Sequence, residues 1–437
     1  MPHAARRRSL LAPMLTSLAV VAVAALAPAP AHAAEPDGSE ALQVIVGPGG
    51  TGLEPMAIPE VRCEGGAADA CAMVADVIRR DMTISFLFQV LPPRSYLPNP
   101  ATEPLDNPAW ADWTNIGTHW LIRGEVRGSG PFDADLRLFN VVDKTNVHVR
   151  DQAFRQLSEP ALRKAIHKFC NGVIEARTGT AGVFDTRIAY SSKFGMGVKG
   201  IGLVSMDGSD RTGLVSNGNI NTLPAWGFGG VLYTSFIDGK PEIFFGKRKL
   251  TRDAGHYRKV AVSPDGSKMV ASISYGGQSD LYLLSADGAV QKNLTNTDSD
   301  EVSPTFSPDG SKVAFVSNAA GSPQIYVMGV GGGGMARLTH AGSYNYAPDW
   351  GKGGLIAFAA MEGGASDIFT VTEGGEIRRL TQDQGTNKDP SWSPDGRYIA
   401  FVSTRADGSG IYVMSADGRY QSLVAKGGGF GNVAWEK

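Results

Sequence analysis

The stretch VAVSPDGSKMVASIS (residues 260–274) decides the fold of this chain, because close copies of it recur along the last third of the sequence. Each copy has two apolar runs joined by Pro-Asp-Gly or by a glycine-rich substitute. An Asp-Gly pair between alternating apolar segments is the strongest local signal for a β-hairpin, since both central residues of the turn adopt positive φ. Each copy therefore predicts a strand, a tight turn and a second strand. The other copies are PTFSPDGSKVAFVS (304–317), APDWGKGGLIAFAA (347–360) and PSWSPDGRYIAFVS (390–403).

The copies are spaced like the blades of a β-propeller. Successive residues that precede the turns are 36, 44, 44, 42 and 43 positions apart. A spacing of about 40 to 45 residues is typical of a four-stranded propeller blade. Three further strands recur in the same register, six times each, so the sequence predicts a six-bladed β-propeller over residues 183–437. The residues that mark the period are Trp226, Val262, Phe306, Trp350, Trp392 and Trp435.

The two ends of the repeat region complement each other. The first repeat begins at its second strand, RIAYSS (187–192), whereas residues 432–437 form a first strand with no hairpin after it. We therefore expect these two segments to pair and to close the ring, which removes exposed sheet edges. Two separate β-sandwiches would not produce six copies in one register with complementary ends.

Residues 1–33 have the pattern of a secretory signal peptide. Three arginines at positions 6–8 precede an uncharged run of Ala, Leu and Val, and the segment ends in Ala-His-Ala. An uncleaved membrane anchor is the weaker alternative, because the run is short and rich in alanine. No other stretch is apolar enough to insert into a membrane. Loss of this leader takes the formal net charge from −2 to −5, which favours neither nucleic acid nor anionic lipid as a partner.

Residues 34–182 lack the blade period and predict a separate α/β domain. Ser158 begins its clearest helix, in which apolar residues recur at helical spacing until Gly179. The other expected elements are a strand at 42–47, a helix at 69–82, a buried strand at 84–92, a short helix at 109–117, a hairpin of 119–128 with 132–143, and a strand near 147–154.

Cys63 and Cys71 bracket a loop of seven residues, and in an oxidising compartment we predict a small disulfide between them, with two free thiols as the alternative. Cys170 lies on the apolar face of its helix and is expected to be buried. The sequence contains no His or Cys spacing typical of a metal site, and no nucleophile elbow, Walker loop or zinc-protease motif. We therefore predict no catalytic residues, no metal and no cofactor.

Several segments are similar to those of one protein family. They are WADWTNIGTHWLIRGEV (110–126), DLRLFNVVD (135–143), IHKFCNGVIEARTG (166–179) and FDTRIAYSS (184–192). In order and spacing they resemble the TolB family of the periplasmic Tol-Pal system. The resemblance implies a monomeric, non-enzymatic scaffold in the periplasm that supports outer-membrane integrity and cell division. It also implies two partners: the peptidoglycan-associated lipoprotein Pal, bound by the propeller, and TolA, bound by the segment that follows the leader.

The loops before the inner strands offer candidate binding residues. In a propeller the innermost strand lines the channel, and the loop before it forms one mouth. At the third position before the Pro or Val of each inner strand the chain has a polar or aromatic residue, and we expect these residues to bind a protein partner. They are Asn221, Tyr257, Glu301, Asn345, Asn387 and Phe430. His256 joins them, because its distance from the SPDG turn matches a histidine with which the TolB family contacts Pal.

A secreted propeller enzyme that acts on oligosaccharides is the alternative function. It would need carboxylates at the channel mouth, for which Glu301 and Asp349 are the candidates. The loops before the inner strands consist mostly of Asn, Gly and aromatic residues, which favours a binding protein.

Overall fold

The computed structural model describes residues 44–46, 52–96, 103–406 and 408–437, and these all fall in one compact unit, Leu42–Lys437. The predicted signal peptide, residues 1–33, and most of the segment that the resemblance assigns to TolA lie outside the described residues. None of the described helices is both long and apolar enough to cross a membrane. The chain forms an α/β domain and a six-bladed β-propeller, which confirms the predicted fold class.

Six antiparallel sheets, one per blade, make the propeller. Blade 1 contains Arg187–Gly195, Val198–Ser205, Arg211–Val215 and the inner strand Phe430–Trp435. Blade 2 contains Asn221–Gly227, Gly230–Ser235, Glu242–Phe245 and Arg248–Lys249. Blade 3 contains His256–Val262, Lys268–Ser274, Ser279–Ser285 and Val290–Asn293.

The remaining three blades follow the same plan, with the inner strand first. Blade 4 contains Glu301–Phe306, Lys312–Ser317, Gln324–Gly329 and Ala336–Arg337. Blade 5 contains Asn345–Trp350, Ile356–Glu362, Ala365–Val371 and Ile377–Arg379. Blade 6 contains Asn387–Trp392, Tyr398–Ser403, Gly410–Ser415 and Tyr420–Lys426, to which Val44–Val46 adds a fifth strand.

The ring is closed within blade 1. Phe430–Trp435 pairs antiparallel with Arg187–Gly195. Just outside this pairing, Arg187 Nη2 lies 3.2 Å from Glu436 Oε1, and the two residues are 249 positions apart in the chain. The Trp435 indole donates a hydrogen bond of 2.8 Å to Thr186 Oγ1. Backbone and side-chain contacts therefore both fasten the two ends of the repeat region.

The large residues that mark the repeat pack between neighbouring blades. Phe306 lies in a cluster with Val270 and Leu281 of blade 3. Trp350 is buried against blade 4, and Trp392 against blade 5. Burying one such side chain contributes about 2 to 3 kcal/mol relative to leaving it exposed. The large residues therefore recur at this spacing in the sequence because each one packs a blade against its neighbour.

Aspartates of the SPDG turns satisfy the polar groups of their own turns. Asp265 accepts hydrogen bonds from Ser263 Oγ at 2.6 Å and from the Ser267 amide at 3.0 Å. These hydrogen bonds lower the pKa of Asp265 to about 2. Asp395 accepts equivalent bonds from Ser393 Oγ and from the Arg397 amide. The repeated spacing of Ser and Asp in this motif therefore has a structural explanation within the hairpin.

The α/β domain is a seven-stranded sheet covered by helices. Its helices are α1 (Ala68–Ile84), α2 (Trp110–Asn115) and α3 (Glu159–Thr178), with a 3₁₀ turn at Pro93–Ser95. Its strands are Glu54–Ala57, Arg62–Glu64, Phe88–Val90, Trp120–Arg127, Phe132–Asn140, Thr145–Val147 and Ala153–Leu157. Ser158 occupies the N-cap position of α3, although its hydroxyl makes no capping hydrogen bond, and Gly179 ends the helix with φ of 79°. A disulfide joins Cys63 to Cys71.

Two expectations for this domain were wrong in detail. The strand expected at 42–47 is present as Val44–Val46, but it pairs with Tyr420–Lys426 of blade 6 instead of joining the α/β sheet. The strand expected at 84–92 is reduced to Phe88–Val90, because α1 extends to Ile84. A continuous apolar run does not distinguish the buried end of a helix from a buried strand. Periodicity also does not tell which open sheet edge a short strand joins.

The α/β domain and the propeller share one hydrophobic core. A single cluster of buried residues runs from α1 and α3 into blades 1 and 6. Phe86, which follows α1, stacks on Tyr420 with ring centroids 5.9 Å apart. The Tyr398 hydroxyl donates a hydrogen bond of 3.3 Å to the Ser85 carbonyl, and Arg397 Nη2 donates one of 2.7 Å to Thr178 Oγ1. The domain boundary near residue 182 therefore stays a prediction about sequence organisation, since the cores are continuous.

Candidate functional site

The described part of the α/β domain lies against one end of the propeller and leaves the other end uncovered. The domain contacts blades 1 and 6 at the end where two kinds of turn lie. These are the turns between the first and second strands and the turns between the third and fourth strands. Arg397, beside one of these turns, contacts α3, and the carbonyl of Asp207, in another, accepts a hydrogen bond of 3.3 Å from Arg80. Because the strands of a blade are antiparallel, the loops before the inner strands lie at the opposite end. We call that end the open mouth.

A channel runs through the middle of the ring. A cavity of about 930 Å³, the upper cavity, lies at the open mouth, and a second cavity of about 680 Å³, the lower cavity, lies toward the hairpin turns at the other end. Four residues line both cavities and so mark the waist between them: Pro224, Lys259, Pro390 and Val433.

The six residues expected to bind a partner occupy equivalent positions in the six blades. Each pairs with a residue at or near the end of the second strand of its blade, as Glu301 does with Ser317 and Asn387 with Ser403. All six are buried, whereas His256 is exposed: the buried set is Asn221, Tyr257, Glu301, Asn345, Asn387 and Phe430. The six side chains therefore lie inside the protein, and direct contact of these residues with a partner stays a prediction.

The polar members of this ring hold the loops at the open mouth. Asn345 Nδ2 donates hydrogen bonds to Gln324 Oε1 of blade 4 at 2.8 Å and to the Ala341 carbonyl at 2.9 Å. Asn387 Nδ2 donates one of 3.0 Å to Asp367 Oδ1 of blade 5. These contacts join the inner strands of blades 5 and 6 to the preceding blade. A buried amide with several partners fixes a loop firmly, since breaking the set leaves polar groups unsatisfied.

Glu301 has the same structural role. Burial raises the pKa of its carboxyl, while hydrogen bonds from Ser317 and Thr297 oppose that rise. The two hydroxyl groups donate to its two oxygens at 2.8 Å each. Both oxygens are thus engaged inside the protein, and the carboxyl does not face the channel as the oligosaccharide enzyme would require.

A threonine that follows the outer strand of a blade completes this network, although the sequence analysis assigned it no role. Thr381 Oγ1 donates a hydrogen bond of 2.6 Å to Asp367 Oδ1 and accepts one of 2.9 Å from the Ile368 amide. Thr339 makes the equivalent pair with Gln324 and the Ile325 amide. The available signal was the pair Leu-Thr, which recurs at 250–251, 294–295, 338–339 and 380–381. A polar residue at a fixed place in a buried repeat implies a repeated hydrogen bond.

The open mouth also carries exposed apolar side chains that the sequence analysis missed. They lie near the ends of second strands, on the loops between the second and third strands, and on the loop before the inner strand of blade 5. We call this set the apolar rim: Phe194, Met196, Ile237, Tyr275, Tyr344 and Met361. Met196 is 95% exposed and Phe194 is 62% exposed. Apolar side chains grouped around a cavity mark interaction surfaces, whereas scattered ones do not. Single apolar residues inside glycine-rich turns such as FGMG (194–197) were the signal.

Charged groups line the channel below the rim. Asp349 Oδ1 lies 2.9 Å from Lys437 Nζ, and Asp349 Oδ2 accepts a hydrogen bond of 2.7 Å from the Trp392 amide. Burial alone would raise the pKa of Asp349, but Lys437 and its other partners lower it below the usual range. Asp349 is therefore an ionised, fully engaged carboxylate and a poor general acid. Among the described residues no group of three His, Cys, Asp or Glu is arranged to hold a metal ion.

The comparisons with known proteins match both parts of the chain. The model of the TolB amino-terminal domain matches residues 42–147, and the model of the TolB beta propeller domain matches residues 174–436.

The chain belongs to the TolB family.

Its relatives and structural neighbours agree with that assignment. A Tol-Pal system protein TolB from Anaeromyxobacter dehalogenans (strain 2CP-C) is 37% identical over 297 residues, which cover 65% of this chain and 66% of the relative, just under two thirds of its length. A protein of the same name from Desulfosudis oleivorans is 36% identical over 196 residues, 43% of each chain. The crystal structure of TolB from Acinetobacter baumannii superimposes with a TM-score of 0.73 at 23% identity and covers 90% of this chain and 99% of that one. This TolB-family fold thus extends over both domains.

Proposed function

We propose that this chain is a periplasmic component of a Tol-Pal system and that its open mouth binds the lipoprotein Pal. The curated relatives carry the name of that system. In this role the protein is a monomeric scaffold without enzymatic activity, which supports outer-membrane integrity and cell division through its partners. TolA is the proposed partner of the segment that follows the signal peptide.

One observation carries the proposal for Pal. Tyr344 and Met361 of the apolar rim line a cavity of about 930 Å³ at the open mouth, the end of the propeller that the described part of the α/β domain leaves uncovered. His256 lies exposed at this end, and Arg258 and Lys388 are among the residues that line the cavity. Apolar and aromatic anchors beside charged groups are typical of protein interfaces. The seven residues named from the sequence divide into one contact residue, His256, and six that support the rim from below.

A calorimetric titration of the mature protein with the periplasmic domain of Pal from the same organism tests the proposal. We expect saturable binding, and we expect the double variant His256→Ala, Tyr344→Ala to weaken it by about tenfold or more with an unchanged melting temperature. Replacing Tyr257 instead would confuse the result, because that side chain is 0% exposed and its loss destabilises the fold.

Ile377→Ala is the matched control for Tyr344. Ile377 belongs to the same blade and has nearly the same exposure, 43% against 44%, but it lies on the outer strand. We expect this variant to bind Pal as the unmodified protein does. Absence of binding at high concentration, or equal losses in the two variants, would refute the open mouth as the Pal site.

A further inference from the structure

Lys259 occupies an unusual place at the waist of the channel. Each inner strand has one residue at this level, and all six line the upper cavity: Leu223, Lys259, Ser303, Ala347, Asp389 and Asn432. In the five blades other than blade 3 this residue has a positive φ, between 49° and 57°. Lys259 does not, and it is the one charged residue among the four that line both cavities. Its side chain is therefore placed where a group from either cavity can meet it.

The ammonium group of Lys259 has no partner among the described residues. Within the described residues, no carboxylate oxygen lies within 4.0 Å of the Lys259 ammonium nitrogen, and the ammonium group donates no hydrogen bond. Asp349 and Asp389 are the two acids that act on it, and they do so from a greater distance. Both are engaged elsewhere: Asp349 with Lys437, and Asp389 with the Asn432 amide at 2.9 Å.

Such a cation favours the binding of an anion. Burial lowers the pKa of Lys259, and Asp349 and Asp389 oppose that effect only in part. Lys259 is partly buried and lacks a partner among the described residues, so an anion that reaches it gains more than it would at a fully exposed lysine. Arg258 and Lys388 also line the upper cavity, against Asp300 and Asp389. Asp300 is already engaged, since its Oδ1 accepts a hydrogen bond of 2.8 Å from the Ser279 amide.

We propose that the channel contains an anion site centred on Lys259, which takes a carboxylate or phosphate group entering from the open mouth. Two sources can supply this chemistry: a small free anion, or an acidic side chain of a protein docked on the apolar rim. The site goes beyond the proposed function, because a free anion would bind whether or not the mouth binds Pal.

The free anion is tested first, on the mature protein alone. Lysines labelled with ¹³C at Cε are observed by NMR while succinate, and separately inorganic phosphate, is added at constant ionic strength and neutral pH. We expect one lysine signal to shift saturably, and we expect that signal to be missing in Lys259→Met. The variant should lower the affinity for the anion by about tenfold or more, since a charge-assisted contact is removed.

Two further variants separate a specific site from a general charge effect. Lys352 lines only the lower cavity, so Lys352→Met should keep the affinity within about twofold. Lys259→Arg preserves the charge and should retain binding. Absence of a saturable shift, or an equal affinity in Lys259→Met, would overturn the proposal.

Competition then identifies the source. If titration with the periplasmic domain of Pal displaces bound succinate from Lys259, the site receives an acidic side chain of the partner. If Pal and succinate bind together, or if Pal does not bind at all while succinate does, the site serves free anions. Failure of the Pal proposal thus leaves the anion site standing, and the reverse also holds.

Discussion

His167 Nδ1 lies 2.8 Å from Asp81 Oδ2, in a buried pair that joins α3 to α1 beside the first blade. Asp207 of blade 1 is also fully buried and acts on the same imidazole. Burial alone would lower the pKa of His167, but Asp81 and Asp207 outweigh it and raise that pKa to about 9. Burial raises the pKa of Asp81 to about 6, and His167 limits that rise. The charged imidazole therefore belongs to the contact between the α/β domain and the propeller.

This pair predicts a fall in stability at alkaline pH. The pKa of His167 rises on folding from its ordinary value of 6.5 to about 9. Its contribution is thus fully present below about pH 6.5 and is lost as the pH rises through about 9. We expect the free energy of unfolding in urea to fall by about 2 kcal/mol over this interval and the fall to be much smaller in His167→Gln. His148→Gln, at an exposed histidine, is the control and should keep the full slope. An identical slope in His167→Gln would contradict the assignment.

Phe86 provides a test of the shared core. The residue is 6% exposed, has φ of 55°, and packs on Tyr420 and Tyr398 of blade 6. We expect Phe86→Ala to lower the free energy of unfolding by about 3 kcal/mol, because it leaves a cavity between the domains. Phe194→Ala removes the same side chain from the apolar rim and should cost less than about 0.5 kcal/mol. Equal effects of the two variants in denaturant unfolding would show that the domains do not stabilise each other.

The buried threonines allow a matched comparison within one repeat. Thr381→Val removes the hydrogen bond to Asp367 and leaves the Ile368 amide unsatisfied. We expect it to cost about 1 to 3 kcal/mol. Thr251 holds the same place in blade 2, but its buried hydroxyl finds no hydrogen-bond partner in the described part of the chain. Thr251→Val should therefore be neutral or slightly stabilising. Thermal unfolding of both variants gives the comparison, and an equal loss would mean that the repeated hydrogen bond does not stabilise the blades.

Thiol labelling checks the cysteines. Cys170 is 0% exposed, and burial raises the pKa of its thiol. We therefore expect no reaction of the folded protein with a thiol reagent, one reactive thiol in denaturant, and three after reduction. Rapid labelling of Cys170 in the folded protein would reveal local opening of α3. Three reactive thiols without reduction would contradict the disulfide between Cys63 and Cys71.

The fold could be predicted from the sequence because its repeats determine its contacts. Trp350 and Trp392 fill equivalent spaces between blades, so the period along the chain reports the geometry of the ring directly. The spacing of the repeats does not predict how deeply a side chain is buried below the rim. Asn345 and Asn387 are polar and begin an inner strand, which suggested exposure, but their side-chain amides are hydrogen-bonded to neighbouring blades. The strand Val44–Val46 was assigned to the wrong sheet for a related reason, since its partner lies far away in the chain.

Because Phe430–Trp435 closes the ring, the ring can close only after synthesis of the chain is nearly complete. The strand Arg187–Gly195 needs a neighbour that is synthesised some 240 residues later, as the hydrogen bond from Ser191 Oγ to the Gly431 carbonyl illustrates. Until then its edge is open and able to pair with another chain. Folding of the complete ring is therefore a post-translational step dominated by long-range contacts, which are slow to form. Until the last strand is made, this inner edge of blade 1 has to be kept from pairing with another chain.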